Sequence, residues 1–147
     1  MMAVISITDA VIKMDSTEGG SLTDYSSEII SGVLETTRTN TPHYTFGSPA
    51  AKVSVGRYTG TLKFVVEANT GASSLHGVIS TMALDGSPTA RSFEIYEPST
   101  AAGSHKYAFE AYSVGYPLLN SDAGGSGVAT HEATFAIYGE ITYTVVT

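Results

Sequence analysis

The chain contains no cysteine, no tryptophan and few charges of either sign. Without cysteine, disulfides, thiolate zinc sites, iron–sulfur clusters and a thiol nucleophile are all excluded. Charged residues make up 14% of the 147 residues, against about 25% in an ordinary soluble domain. A surface so thinly charged is poorly protected against association, so much of it is expected to be covered by partners. Basic residues are scarcest: seven Lys and Arg stand against fourteen Asp and Glu, a net charge of −7. That sign is wrong for gripping phosphate backbones, which argues against tight nucleic-acid binding. No run approaches the 18 or so apolar residues that cross a bilayer, so no membrane insertion is expected. The start, "MMAVISITDAVIKMD", has no basic n-region and places Asp9 within its apolar stretch, so it does not read as a secretory signal.

Hydrophobic residues make up 42%, enough for a real core in one domain spanning 1–147. "VISITDAVIKMD" (4–15) reads as a first strand, followed by a turn at Gly19-Gly20. "IISGVLETTRT" (29–39) is a second extended segment. In "TLKFVVE" (61–67), Leu62, Phe64 and Val66 share one face while Lys63 and Glu67 share the other, the period of a half-buried strand. The period then changes. Leu75, Val78, Ile79 and Met82 fall at i, i+3, i+4 and i+7, predicting one amphipathic helix over about 71–84. Thr70 or a nearby Ser caps its start, and Gly86 with Pro88 closes its end. Gly77 inside it costs about 1 kcal/mol relative to Ala, so the helix needs packing.

Two further strands follow, 91–98 with Phe93 and Ile95 on one face, and 105–117 with Tyr107, Phe109 and Ala111 on one face. "LLNSDAGGSGVA" (118–129) is a small-residue loop. From Glu132 onward the alternation outruns an ordinary strand, so Gly139 marks a bulge or bend.

No chemistry-bearing constellation emerges. His43, His76, His105 and His131 lack the short spacings of zinc ligands, and His76 falls between stripe positions and is expected to face solvent. No G-x-S-x-G elbow occurs, and nothing places a base beside a hydroxyl. Glu94 with Glu97, or Glu132 with Glu140, are carboxylate pairs by spacing alone and read as solvated strand faces. "EGGSLTD" and "AGGSGVA" lack the Lys of a P-loop and read as turns. No catalytic, metal or cofactor residue is assigned. Phe64, Phe93, Phe109 and Phe135 sit on core faces, whereas Tyr44, Phe46, Tyr58 and Tyr116 fall in loops where an aromatic can serve contact.

The remaining feature is an insertion over about 40–60, "HYTFGSPAAKVSVGRYTG" at its heart. Long loops without structure of their own are uncommon in compact domains. Tyr44, Phe46, Val53, Val55 and Tyr58 make it too aromatic and β-branched for disorder, and together with Pro49 they are the candidate inter-subunit contacts. Val53, Val55 and Arg57 alternate as a strand would, so the insertion is expected to carry a hairpin tip around "FGSPAAK", with Phe46 as the anchor a neighbouring copy buries.

With "VIKMDSTEGGSLTDYSSEIISGVL", "TPHYTFGSPAAKVSVGRYTGTLKFVV", the short helix, "RSFEIYEP" and the closing "ATFAIYGEIT", the chain resembles the major tail tube proteins of long-tailed, siphovirus-type bacteriophages over nearly its whole length. The most specific part is "YTFG" followed by a strand through "GRYTGTLKF"; the "SPAAKVSVG" after the turn departs from the family pattern. The resemblance implies a mainly β (α+β) fold, with β-sandwich or barrel-like sheets, one flanking α-helix and a long projecting inter-subunit loop. It implies a non-enzymatic subunit without cofactors, in homo-hexameric rings stacked into a tube that DNA traverses without specific binding. Tape measure, initiator and terminator proteins are the implied partners, and the virion tail, assembled in the host cytoplasm, the implied location. By alternation Glu35, Glu67, Glu110 and Glu132, then Glu140, are the candidates for the lumen. Six copies at −7 each would repel phosphates there over a Debye length of about 8 Å. The alternative from the residues is a carbohydrate-binding or adhesive β-sandwich using exposed Tyr, and a third reading is a hydrolase with an acidic pair.

Overall fold

The computed structural model describes residues 10–120 and 129–147. The strand expected from Val4 therefore lies partly, and the loop after Leu118 mostly, outside the described residues. Among the described residues seven strands form one antiparallel sheet: β1 (Val11–Asp15), β2 (Leu22–Asp24), β3 (Ile29–Thr45), β4 (Ser48–Glu67), β5 (Arg91–Glu97), β6 (His105–Gly115) and β7 (Thr130–Val145). Their order across the sheet is β2-β1-β5-β6-β7-β4-β3. The fold is mainly β, and the described residues include one α-helix, α1 (Leu75–Ala83), shorter than the expected 71–84.

The alternation places Met14, Leu62, Phe64, Val66, Phe93, Phe109, Ala111, Ala133 and Phe135 on one face, all buried. A flat sheet would leave that face in water, so this one curls. Phe93 and Phe135 lie on strands separated by β6, yet their rings meet edge to face with centroids 5.0 Å apart. Phe64 stacks on Phe135, and Phe93 on Phe109, each at 5.4 Å. The curl brings the second and last strands of the order together: a Cβ placed on Gly32 of β3 would lie 3.5 Å from Ile12 Cδ1 of β1. The facing layers expected from the sequence are thus two parts of a single barrel-like sheet.

Helix α1 packs its stripe, Leu75, Val78, Ile79 and Met82, into this core. Ser74 is the N-cap, its Oγ accepting from Gly77 N at 3.1 Å. Glu28 reaches from the β2–β3 connection to accept from Leu75 N at 3.1 Å, a carboxylate at the positive end of the helix dipole. Gly77 is there because nothing larger fits: a Cβ would come 2.6 Å from Gly71 O and 2.9 Å from Ala72 O. The bulge expected at Gly139 is present. Gly139 takes φ +81, and the β6–β7 register shifts between Ala108 and Glu110.

His76 corrects the sequence reading. It does not face solvent; it is half-buried, its Nδ1 2.6 Å from Tyr116 Oη and its ring 4.5 Å from that of His131. Tyr116 likewise serves an internal contact rather than a free one. His131 is buried, its Nδ1 donating to Pro117 O. The helical stripe left one flank open, and the ends of β6 and β7 cover it, which spacing within the helix could not reveal. Burial, and then the neighbouring His131, lower the His76 pKa below the ordinary 6.5; burial pushes Tyr116 up to about 12, so it stays neutral.

Two outcomes are expected. By helix propensity Gly77→Ala would stabilise by about 1 kcal/mol; here thermal unfolding is expected to show a lower Tm, because the methyl meets backbone. A histidine with a depressed folded pKa binds protons more readily when unfolded. Its contribution to stability is therefore full above pH 6.5 and lost as pH falls through that value. Midpoints measured in urea from pH 7.5 down to about 5 are expected to fall less steeply for His76→Gln than for the unmodified chain.

Candidate assembly surface

Strand β4 pairs with β7 only from Thr61 to Glu67, whereas its pairing with β3 continues to Thr45 and Ser48. Residues 36–60 are thus a two-stranded ribbon without a third strand, leaving the body and turning at Phe46-Gly47. This corrects the expected loop over 40–60. The Thr-rich and Val-containing flanks hold extended backbone up to a two-residue turn, narrower than the "FGSPAAK" tip. Pro42 and Pro49 fit because each ribbon strand has a side with no hydrogen-bonding neighbour. At about 3.3 Å per residue the ribbon reaches roughly 30 Å from the body.

Its two faces differ. Register pairs Asn40 with Val55 and Pro42 with Val53 on one face, and Thr41 with Ser54 and His43 with Lys52 on the other. Val53 and Val55 are 55% and 62% exposed, Tyr44 is 71% exposed, and Phe46 at the turn touches nothing of its own chain that would shield it. Pro49 is also exposed. Two-stranded hairpins are marginal in water on their own, so this ribbon presents both an apolar face and open strand edges to whatever covers it. Tyr58 differs from the other five. It is half-buried at the ribbon's root, its Oη accepting from Ile141 N at 2.8 Å and its ring facing Arg38 at 5.4 Å, so it anchors the ribbon to its own body.

The five acids picked by alternation also find their places. Leu62, Phe64 and Val66 face the core, so Lys63 and Glu67 face away from it. Glu35 sits opposite Thr61, Glu132 opposite Val65 and Glu110 opposite Tyr138, on that same outer face. Glu140 lies in the β7 bulge and, with Glu94, Glu110, Tyr138 and Thr142, lines a shallow open depression. Sequence reasoning missed Glu94 as part of this face; it bridges to Lys106 at 3.4 Å. Among the described residues no group of three or more His, Cys, Asp or Glu could hold a metal ion.

No family model matches the sequence, and no curated protein matches it. Solved structures do. A chain of the anti-feeding prophage baseplate superposes with a TM-score of 0.77 at 12% identity, covering 99% of both chains. A chain in the sixfold-symmetric tail of an empty gene transfer agent particle gives 0.72 at 13%, covering 96% of this chain and 99% of that one. A chain of the extended sheath–tube complex of an extracellular contractile injection system gives 0.71 at 10%, covering 97% and 93%. The resemblance to tail tube proteins drawn from the sequence therefore holds over the whole domain at the level of fold: this chain has the architecture of subunits found in phage-like tails and injection particles.

Proposed function

We propose that the chain is a non-enzymatic structural subunit, six copies of which form a ring, with rings stacked into a tail tube. The observation that carries this is the ribbon 36–60: an amphipathic two-stranded projection with Phe46 at its end, built for burial against another molecule. The whole-length likeness of fold to a chain of a sixfold tail supports the number and the setting. In this reading Tyr44, Phe46, Pro49, Val53 and Val55 dock on a neighbouring copy, and Tyr58 holds the ribbon's root. The outer sheet face with Glu35, Glu67, Glu110 and Glu132, and Glu140 beside it, lines the channel, where like charge keeps passing DNA from sticking. Initiator, terminator and tape measure proteins bind the tube's ends and interior, and assembly takes place in the host cytoplasm before the tail joins the virion.

The first experiment is negative-stain electron microscopy of the purified protein over a concentration series, beside size-exclusion chromatography. Rings or hollow filaments are expected. A persistent monomer even with initiator components present would overturn the reading in favour of an adhesive or sugar-binding module, for which a glycan array is the check. Phe46→Ala is expected to leave the circular dichroism spectrum and Tm unchanged. Loss of a hot-spot aromatic, about 2 kcal/mol, should raise the critical assembly concentration about thirtyfold; unaltered tubes would remove Phe46 from the contact. Glu110→Lys with Glu132→Lys is expected to permit assembly but slow genome ejection from particles, measured by DNA release; an unchanged rate would remove the electrostatic role.

A further inference from the structure

The charges of this chain are segregated. Three of its seven basic residues, Arg38, Lys52 and Arg57, fall within 36–60, and none of its fourteen acidic residues does. The ribbon therefore carries +3, leaving −10 on the rest of the chain. All three cations are exposed or reach solvent, and none has a carboxylate partner among the described residues. Arg38 donates only to Gly56 O and lies over the Tyr58 ring.

The antiparallel order decides what lies at the other end of the molecule. The ribbon leaves past one set of strand ends; the opposite set holds the end of β1, the end of β4 and the start of β5. The connections there, 16–21 and 68–90, contain Glu18 and Asp85 and no Lys or Arg. Glu67 ends β4 beside them. Glu18 and Asp85 are exposed. The nearest cation, Arg91, is half-buried and engaged with the Asp15 carbonyl at 3.4 Å. One end of the chain is thus a cationic projection and the other an acidic rim.

We propose that the ribbon of one copy docks on the acidic end of a second copy, Lys52 and Arg57 meeting Glu18 and Asp85. The partner is a second copy because the same chain displays both halves of the match. An end-to-end contact of this kind is heterologous and repeats indefinitely along an axis, which sets the direction of stacking. Opposite charge on the two ends also disfavours the reversed arrangement, in which ribbon would face ribbon and rim would face rim. The apolar face of the ribbon supplies burial, and the charges supply polarity and register.

This inference rests on the tube reading, and its test separates the two. Critical assembly concentration is measured by sedimentation for the unmodified chain at low and high salt, then for Lys52→Glu with Arg57→Glu, and for that pair combined with Glu18→Lys and Asp85→Lys. Raising salt from about 0.05 to 0.5 M shortens the screening length from roughly 14 to 4 Å and is expected to raise the critical concentration at least tenfold. The arm pair alone is expected to abolish tubes at concentrations where the unmodified chain forms them, and the fourfold charge swap to restore them. All four positions are solvent-exposed, and circular dichroism verifies that each variant is folded. Tubes that ignore both salt and the arm pair, or a swap that fails to rescue a folded variant, would overturn the charge match while leaving the tube reading standing. Failure of the unmodified chain to assemble under any condition would overturn both.

Discussion

The fold depends on one constraint: a single sheet with one apolar face has to remove that face from water. Seven strands cannot do so while flat. The sheet curls until Phe93 meets Phe135 across an intervening strand and Ile12 lies beside β3, and α1 fills the space that curling leaves. Burial of these aromatic and aliphatic side chains is the largest favourable contribution, on the order of 2 kcal/mol for each large side chain fully covered. The bulge at Gly139, the tight passage of residues 71–72 over Gly77 and the carboxylate of Glu28 on the helix start are local accommodations to that curvature.

The same constraint goes unmet along the ribbon. β3 and β4 continue well past the last residue that β7 pairs, so the alternation that buries Phe64 in the body, shifted by one residue at the bulge between Arg38 and Asn40, exposes Val53 and Val55 beyond it. A sheet extension with an uncovered apolar face and unpaired edges is a hazard in a solitary chain. It becomes an asset where another copy supplies the cover. The sparse charge of the chain points the same way, since surfaces destined for contact need little protection by solvation.

Charge placement adds direction to this surface. Acids gather on the outer sheet face and at the end away from the ribbon, while the ribbon itself has only cations. Of the four cations left on the body, Lys13 and Lys106 lie over the Tyr96 ring, Lys106 also pairs with Glu94 and Arg91 donates to Asp15 O, so three are engaged within the chain, while Lys63 is exposed on the outer face.

Much of this was legible before any fold was known, because alternation of period two and the stripe of α1 are properties of consecutive residues. They determined the mainly β class, the core phenylalanines, the helix with its capping Ser and the bulge at Gly139. Periodicity says which residues share a face of one element, however, and is silent on which elements become neighbours. Only the tertiary structure decided that 40–60 continues two strands instead of forming a loop, that Tyr58 and Tyr116 turn inward, and that His76 is covered by His131 from a segment 55 residues away. It alone brought Glu35, Glu67, Glu110 and Glu132 onto one face, because register between distant strands is set by the curl that buries the core and not by any local pattern.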